Sequence, residues 1–209
     1  MSKMFFPLLR VLTMFKKIVV IAGIIFSASA FAQSENFSGA SVGFNTGYEA
    51  NQLRQNSTNV SLGAHSYPLN LNGSYTFALS PSFTVATGLT YDLRNATAAS
   101  NSTGTYEIKN HYSVNFEPGY AISENTLGFV KVAYHSAKSS ITLNSTTYTK
   151  NISGLGYGFG SKHKLDKNLF VKFEVQQVFY NAYTPNSNVS SSTFTQISTL
   201  GTFGLGYQF

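Results

Sequence analysis

Apolar residues alternate with small or polar residues, with a period of two, in eight segments of this 209-residue chain. In the first segment Val42, Phe44 and Tyr48 fall on one face, while Gly43 and Asn45 fall on the other. Successive side chains of a β-strand point to opposite faces, so this period predicts strands and an all-β fold. We expect the strands within residues 40–49, 69–79, 83–94, 111–122, 130–135, 154–160, 171–176 and 197–209.

The connections between these segments differ in length in a regular way. The second, fourth and sixth segments are followed by short turns at residues 80–82, 123–125 and 165–168. The other connections run to about a dozen residues rich in Asn, Ser and Thr, as in residues 95–104 and 181–193. Short turns at one end and long polar loops at the other are typical of a bacterial outer-membrane β-barrel.

Alternation alone leaves open which face looks inward, because a soluble lipocalin-type barrel alternates equally well. The polar face consists mainly of Gly, Ala, Ser, Thr and Asn, which fit the interior of an eight-stranded barrel. The Phe, Tyr, Leu and Val face is too bulky for that interior and suits lipid. We therefore predict an eight-stranded antiparallel up-and-down transmembrane β-barrel, whose even strand number places both termini on the periplasmic side.

The first 32 residues have the pattern of a cleavable export signal. Lys16 and Lys17 precede an apolar run at residues 18–26, and Ala30 and Ala32 form a small-x-small cleavage pattern. The run is too short to cross a bilayer as a helix, which takes about 20 residues. We expect a signal peptide at residues 1–32, with Met14 as an alternative start, and a barrel domain at residues 33–209.

Composition excludes several classes of function. The formal net charge is +6, but four cations lie in the export signal, and the remainder carries only +2. That remainder lacks the concentrated basic face of a nucleic-acid-binding protein. The chain has no Cys, so disulfide scaffolds and thiolate metal sites are excluded.

Charged residues on the inward face predict an ion-pair network in the lumen. Glu117 and Lys131 are equidistant from the turn at Glu124 and should lie opposite each other across a hairpin. A buried lone charge is costly, whereas a paired one is tolerated. The other charges expected to join this network are Asp92, Arg94, Lys172 and Glu174.

The last strand carries alternate apolar residues that end in an aromatic residue, namely Phe203, Leu205, Tyr207 and Phe209. This pattern is similar to the C-terminal assembly signal of outer-membrane proteins. Together with the Gly-rich strand at residues 154–160, it resembles the opacity-protein/OmpX-like barrels, often described as porin family proteins. The resemblance implies insertion by the barrel assembly machinery, contact with periplasmic chaperones, and roles in adhesion, envelope integrity or slight permeability.

The four histidines show no metal-ligand spacing, and we expect no metal and no cofactor; they are His65, His111, His135 and His163. His111 and Ser113 resemble the His-x-Ser pair of the lipid A deacylase family, in which the His activates the Ser for hydrolysis. Val114 stands where that family has an Asn. The alternation also points His111 and Ser113 into the lumen, whereas the family's pair faces lipid.

We therefore expect a non-catalytic protein with a structural or surface-interaction role, which it performs through long extracellular loops. The alternatives are a narrow channel for ions or small hydrophobic solutes, and a lipid A deacylase-like hydrolase. The expected partners are outer-membrane lipid, lipopolysaccharide and a surface ligand at the loops, with no nucleic acid. The cations in or near the loops that would meet anionic lipopolysaccharide or host glycans are Arg54, Lys109, Lys138 and Lys150.

Overall fold

The computed structural model describes residues 34–56, 60–101, 104–143, 146–184 and 193–209. The predicted signal peptide lies outside these residues and stays a prediction. Within them, no helix is long and apolar enough to cross a membrane. A short 3₁₀ helix, Ser34–Phe37, precedes ten strands: β1 (Gly39–Gln55), β2 (Val60–Ser66), β3 (Leu69–Ala78), β4 (Phe83–Asp92), β5 (Ala96–Asn101), β6 (Gly104–Ser123), β7 (Thr126–Leu143), β8 (Thr146–Lys164), β9 (Leu169–Tyr180) and β10 (Phe194–Gln208).

Eight of these strands close a ring. Antiparallel pairs run in the order β1, β3, β4, β6, β7, β8, β9, β10, and β10 pairs back to β1 from Ser41↔Gln208 to Gln55↔Phe194. Closure leaves no unpaired strand edge in the membrane, where each unsatisfied backbone group would cost several kcal/mol. The predicted eight-stranded antiparallel barrel is confirmed.

The two remaining strands, β2 and β5, continue β3 and β4 beyond short interruptions. Both β2 and β3 pair with β1, and both β4 and β5 pair with β6. The first interruption lies at Pro68, which has no N–H to donate to a neighbouring strand. The second lies at residues 93–95, where β4 has ended and β5 has not begun. Ten strand segments therefore build an eight-stranded barrel.

The two ends of the barrel differ, and we call them the turn end and the hairpin end. The turn end has the short connections β3–β4, β6–β7 and β8–β9 at the predicted positions. In the last of them, Asp166 accepts hydrogen bonds from the backbone N–H groups of Leu169 and Asn168, both at 2.8 Å. These bonds hold the pKa of the Asp166 carboxyl below its ordinary value.

Three of the four connections at the hairpin end are mostly strand, which corrects the prediction of long polar loops there. The segment predicted as a loop at residues 95–104 contains β5, and β6 already begins at Gly104. The outward apolar alternation does not continue into these extensions, because their apolar side chains, such as Leu53, Ile108 and Ile152, face inward. Of residues 181–193, only 181–184 and 193 are described, and Tyr183 forms an antiparallel bridge with Phe194.

The apolar faces look outward and the small or polar faces look inward, as predicted. On the outside, Phe44 is 58% exposed and Phe159 is 62% exposed. On the inside, Ser113 and His135 are each 2% exposed and Gln176 is 5% exposed. A fold with large apolar side chains on its surface requires lipid around it.

Apolar side chains fill the interior at both ends. The hairpin-end cluster consists of Leu53, Ala96, Ala98, Ala99, Ile108, Ala137, Ile152, Val178, Tyr180, Tyr183, Phe194 and Leu200. At the turn end, Phe37 of the 3₁₀ helix packs with Ala121 and Leu127. The Gln208 Nε2 group holds this helix by donating to the carbonyl of Asn36 at 3.1 Å. The N-terminal segment therefore closes the turn end.

The glycines of β8 supply space that closure of the barrel requires. A Cβ at Gly154 would overlap the carbonyl oxygen of Phe179 on β9. By contrast, a Cβ at Gly201 on β10 would meet nothing within 4 Å.

We expect Gly154→Ala to lower the free energy of unfolding by about 1–3 kcal/mol, since overpacking forces the backbone to shift. Gly201→Ala is the matched control and should change it by less than about 0.5 kcal/mol. Urea unfolding of protein refolded in detergent, followed by circular dichroism, measures both. Equal losses at the two positions would contradict the packing argument.

Candidate functional site

Four charged side chains meet in the middle of the lumen, and we call them the charge quartet. They are Glu117 on β6, Lys131 on β7, and Lys172 and Glu174 on β9, and all four are largely shielded from solvent. Lys172 lies 3.0 Å from both Glu117 and Glu174. Lys131 lies 2.8 Å from Glu174 and 3.7 Å from Glu117. Two cations and two anions therefore neutralise one another.

The register across the β6–β7 hairpin places Glu117 and Lys131 near each other. Phe116 pairs with Val132 on one side of them, so both charges point inward from neighbouring strands. The shorter contact of Glu117 is nevertheless with Lys172, which reaches it across the lumen from β9. Pairing in this low-dielectric interior offsets the desolvation of each charge.

Two inward-facing aromatic rings extend the quartet toward the turn end. Lys172 Nζ lies 4.6 Å from the centroid of the Phe129 ring, and Lys162 Nζ lies 4.5 Å from that of Phe170. The face of an aromatic ring attracts a cation, and more strongly where water is excluded. Both rings face the lumen, whereas the alternation predicts aromatic residues on the outer face.

A second polar system, the histidine chain, lies on the hairpin side of the quartet. It consists of Asp92 on β4, His111 on β6, His135 on β7 and Gln176 on β9. Asp92 Oδ2 lies 2.7 Å from His111 Nδ1, and His111 Nε2 lies 2.8 Å from His135 Nδ1. His135 Nε2 lies 2.9 Å from Gln176 Nε2. The chain therefore runs across the lumen from β4 to β9.

Hydrogen bonding in this chain has one direction when both imidazoles are neutral. A carboxylate only accepts, so His111 donates from Nδ1 to Asp92 and accepts at Nε2. His135 must then donate from Nδ1 and accept at Nε2, where the Gln176 amide donates. Every contact is satisfied without a buried imidazolium.

The structure separates Asp92 and Arg94 from the predicted ion-pair network. Asp92 faces the lumen but binds His111 rather than the quartet. Arg94 is exposed, and within the described residues no carboxylate lies within 4.0 Å of its guanidinium. The reason is that β4 ends at Asp92, so the alternation that would point Arg94 inward does not continue.

Ser113 lies next to the histidine chain without being part of it. It is 2% exposed, and His111 Nε2, the atom that would take its proton, is bound to His135. Asp92 orients His111 from its other ring nitrogen. The described residues contain no group of three His, Cys, Asp or Glu side chains that would hold a metal ion.

Little space remains between the two polar systems. The cavity they line, with Asn45, Asn70 and Asn115, has a volume of about 30 Å³. A volume of this size holds no more than about two or three water molecules. Side chains, rather than solvent, therefore fill this level of the barrel.

The predicted surface residues lie on strands. Arg54, Lys109, Lys138 and Lys150 are on the hairpin-end extensions of β1, β6, β7 and β8. The residues of the predicted assembly signal point outward from β10 and are 42–72% exposed; they are Phe203, Leu205, Tyr207 and Phe209. The last residue remains tied to the barrel, because its N–H donates to the carbonyl of Ala40 at 2.9 Å.

The model of the outer membrane protein beta-barrel domain family matches residues 18–209. The chain belongs to this family. Membership agrees with the outward apolar surface and places the protein in the bacterial outer membrane. It also confirms the resemblance to small barrels of the opacity-protein/OmpX-like kind. No curated protein matches the chain.

Solved structures of other outer-membrane barrels are similar to this one in fold. Neisserial surface protein A has a TM-score of 0.50 and 11% identity, with 82% of this chain and 98% of that chain covered. The attachment invasion locus protein Ail of Yersinia pestis has a TM-score of 0.47 and 14% identity, with 82% and 99% covered. OprG of Pseudomonas aeruginosa has a TM-score of 0.48 and 9% identity, with 87% and 99% covered.

Removing one cation should unbalance the charge quartet. We expect Lys172→Met to lower the free energy of unfolding by about 3–5 kcal/mol, since it leaves buried carboxylates short of a partner. The double variant Lys172→Met with Glu117→Gln should lose less, because it removes one charge of each sign. Urea unfolding in lipid vesicles, followed by circular dichroism, compares them with Lys167→Met, an exposed control. A double variant less stable than the single one would refute this account.

Proposed function

We propose that this protein is a closed, non-catalytic outer-membrane barrel that acts at the cell surface through its hairpin-end extensions. The observation that carries the proposal is the filled interior. The charge quartet and the histidine chain leave a cavity of about 30 Å³ between them. Apolar clusters lie beyond them at the hairpin end and at the turn end.

A filled interior argues against the channel alternative. An ion crossing the lumen would have to separate buried ion pairs at 2.8 and 3.0 Å and displace apolar side chains at both ends. A small hydrophobic solute would meet charged groups at the middle level. Neither route has the continuous space that conduction requires.

The hydrolase alternative also lacks support in the geometry. A lipid substrate approaches from the outer face, whereas His111 and Ser113 are buried inside. The imidazole nitrogen that a serine nucleophile needs is engaged by His135. A buried serine without an activating base has no route to acyl transfer.

The lengths of the strands support a surface role. A strand needs about 9–11 residues to cross a membrane, while β6 has 20, β7 has 18 and β8 has 19. Exposed apolar residues reach the turn end, as at Leu79, Phe83 and Leu165. The surplus length therefore projects at the hairpin end, where it presents polar surface to a ligand.

We propose that the hairpin end faces the medium and that both termini are periplasmic. Outer-membrane barrels of this kind have short periplasmic turns and longer extracellular connections. In this orientation the outward residues of β10, from Phe203 to Phe209, are available to the barrel assembly machinery after periplasmic chaperones deliver the chain. Lipopolysaccharide would then surround the hairpin end.

We expect the refolded protein to show no discrete conductance steps in planar lipid bilayers at 1 M salt, because the lumen has no continuous path. Heat-modifiable gel mobility and protease protection of the same preparation establish that the barrel is folded and inserted. Reproducible single-channel steps from protein verified in this way would overturn the closed-barrel proposal.

The absence of Cys from the chain allows a direct test of orientation. We expect Thr149→Cys, at the hairpin end, to react with a membrane-impermeant maleimide on intact cells. Lys167→Cys, at the turn end, should react only after the outer membrane is permeabilised, because both positions are exposed but on opposite sides. Labelling of Lys167→Cys alone on intact cells would reverse the proposed orientation.

A further inference from the structure

The outer face of the barrel carries two adjoining grooves, which we call the upper and lower groove. The upper groove has a volume of about 430 Å³ and the lower groove about 410 Å³. Tyr91 on β4 and Tyr112 on β6 line both grooves. The two grooves therefore adjoin each other at this tyrosine pair, with the upper groove nearer the hairpin end.

The lower groove exists because a glycine interrupts the apolar outer surface. Gly73 lies in a cross-strand row between Val42 and Leu89, both of which carry exposed apolar side chains. A Cβ at Gly73 would meet only the carbonyl oxygen of Ser41, at 3.9 Å. Packing of the barrel therefore does not require glycine here, and the result is an apolar notch facing lipid.

The upper groove lies beside a β-bulge. Lys109 pairs with Lys138, and the next pair is Tyr112 with Ser136, so β6 contains one residue more than β7 at this point. Asn110, in the bulge, has a positive φ of 50°, a conformation that asparagine tolerates better than most residues. Bulges of this kind redirect side chains and are frequent beside functional sites.

The upper groove is lined by one cation, Lys138, and by hydrogen-bond donors that include Asn110 and Asn151. Lys138 is exposed and lies directly opposite Lys109. Lys109 forms an ion pair with Glu107 at 2.9 Å, whereas no carboxylate of the described residues lies within 4.0 Å of Lys138. An anion near Lys138 would therefore give this lysine the kind of partner that Glu107 gives Lys109.

The outward surface changes character between the two grooves. On β7 the outward residues pass from Val132 and Tyr134 to Ser136 and Lys138 toward the hairpin end. This order, apolar and then aromatic and then polar, is that of a membrane interface. A molecule that fits both grooves therefore has an apolar chain on one side of the tyrosines and an anionic head on the other.

We propose that the double groove binds one anionic phosphate-bearing lipid of the surrounding leaflet. Its phosphate lies at Lys138, within reach of the Asn110 and Asn151 amides, and one acyl chain occupies the notch at Gly73. Lipids are the molecules that surround this face of the barrel, and their amphiphilic form matches the order of the grooves. The inference concerns the outer wall and the anionic phosphate that membrane lipids share, so it depends neither on the surface role nor on which end faces the medium.

Native mass spectrometry of the full mature barrel in detergent micelles tests the proposal. The probes are phosphatidylglycerol and phosphatidylcholine with the same acyl chains, which differ in net headgroup charge. We expect phosphatidylglycerol to remain bound preferentially, and Lys138→Ala to weaken its binding about fivefold, the usual effect of one interfacial cation. Gly73→Leu should weaken binding of both lipids, because its side chain fills the notch.

Lys150→Ala is the matched control, since Lys150 is also an exposed hairpin-end lysine but lines neither groove. Heat-modifiable mobility verifies that each variant is folded. The proposal is overturned if Lys138→Ala and Lys150→Ala weaken binding equally, if the two lipids bind alike, or if Gly73→Leu leaves binding unchanged.

Discussion

The narrow interior of an eight-stranded ring is the constraint on which the rest of this structure depends. Such a ring is only wide enough for side chains, so inward charged residues must pair with each other across the lumen. Glu117 and Lys172 meet this condition by pairing with each other from β6 and β9. The 3.0 Å distance between their charged groups leaves no room for bulk solvent. The narrow interior that brings these ion pairs together also leaves no path for solutes.

Glycine and the polar networks depend on each other. A Cβ at Gly156 would lie 2.5 Å from His135 Nε2 and would also overlap the Gln176 amide. At this position β8 therefore has no space for a side chain, because the end of the histidine chain occupies it. A Cβ at Gly160 would similarly displace the Phe129 ring, which lies under Lys172. The Gly-rich strand thus has a specific structural role: it leaves space for two polar systems contributed by the facing strands.

The sequence predicts those parts of the fold that depend on local periodicity. Alternation identifies the ring strands, and the turn at Glu124 predicts that Glu117 and Lys131 approach each other, because hairpin register follows from turn position. The contact between Lys172 and Glu117 cannot be read in this way, since contacts across the lumen depend on strand tilt and shear. The strand extensions are missed because their apolar residues face inward rather than outward, and Arg94 is misplaced because β4 ends before it.

Residues that break the alternation inside the barrel have a different structural explanation from those that break it on the outer face. Phe129 and Phe170 break the rule that aromatic residues face outward, yet each is explained by the lysine that lies against it. Gly73 and Asn110 break the regular outer wall, and no contact within the barrel explains either of them. Closure of the ring would tolerate a side chain at Gly73, and the bulge at Asn110 interrupts pairing that would otherwise continue. Both departures lie on the outer wall beside the two grooves, which agrees with the proposal that a lipid occupies this face.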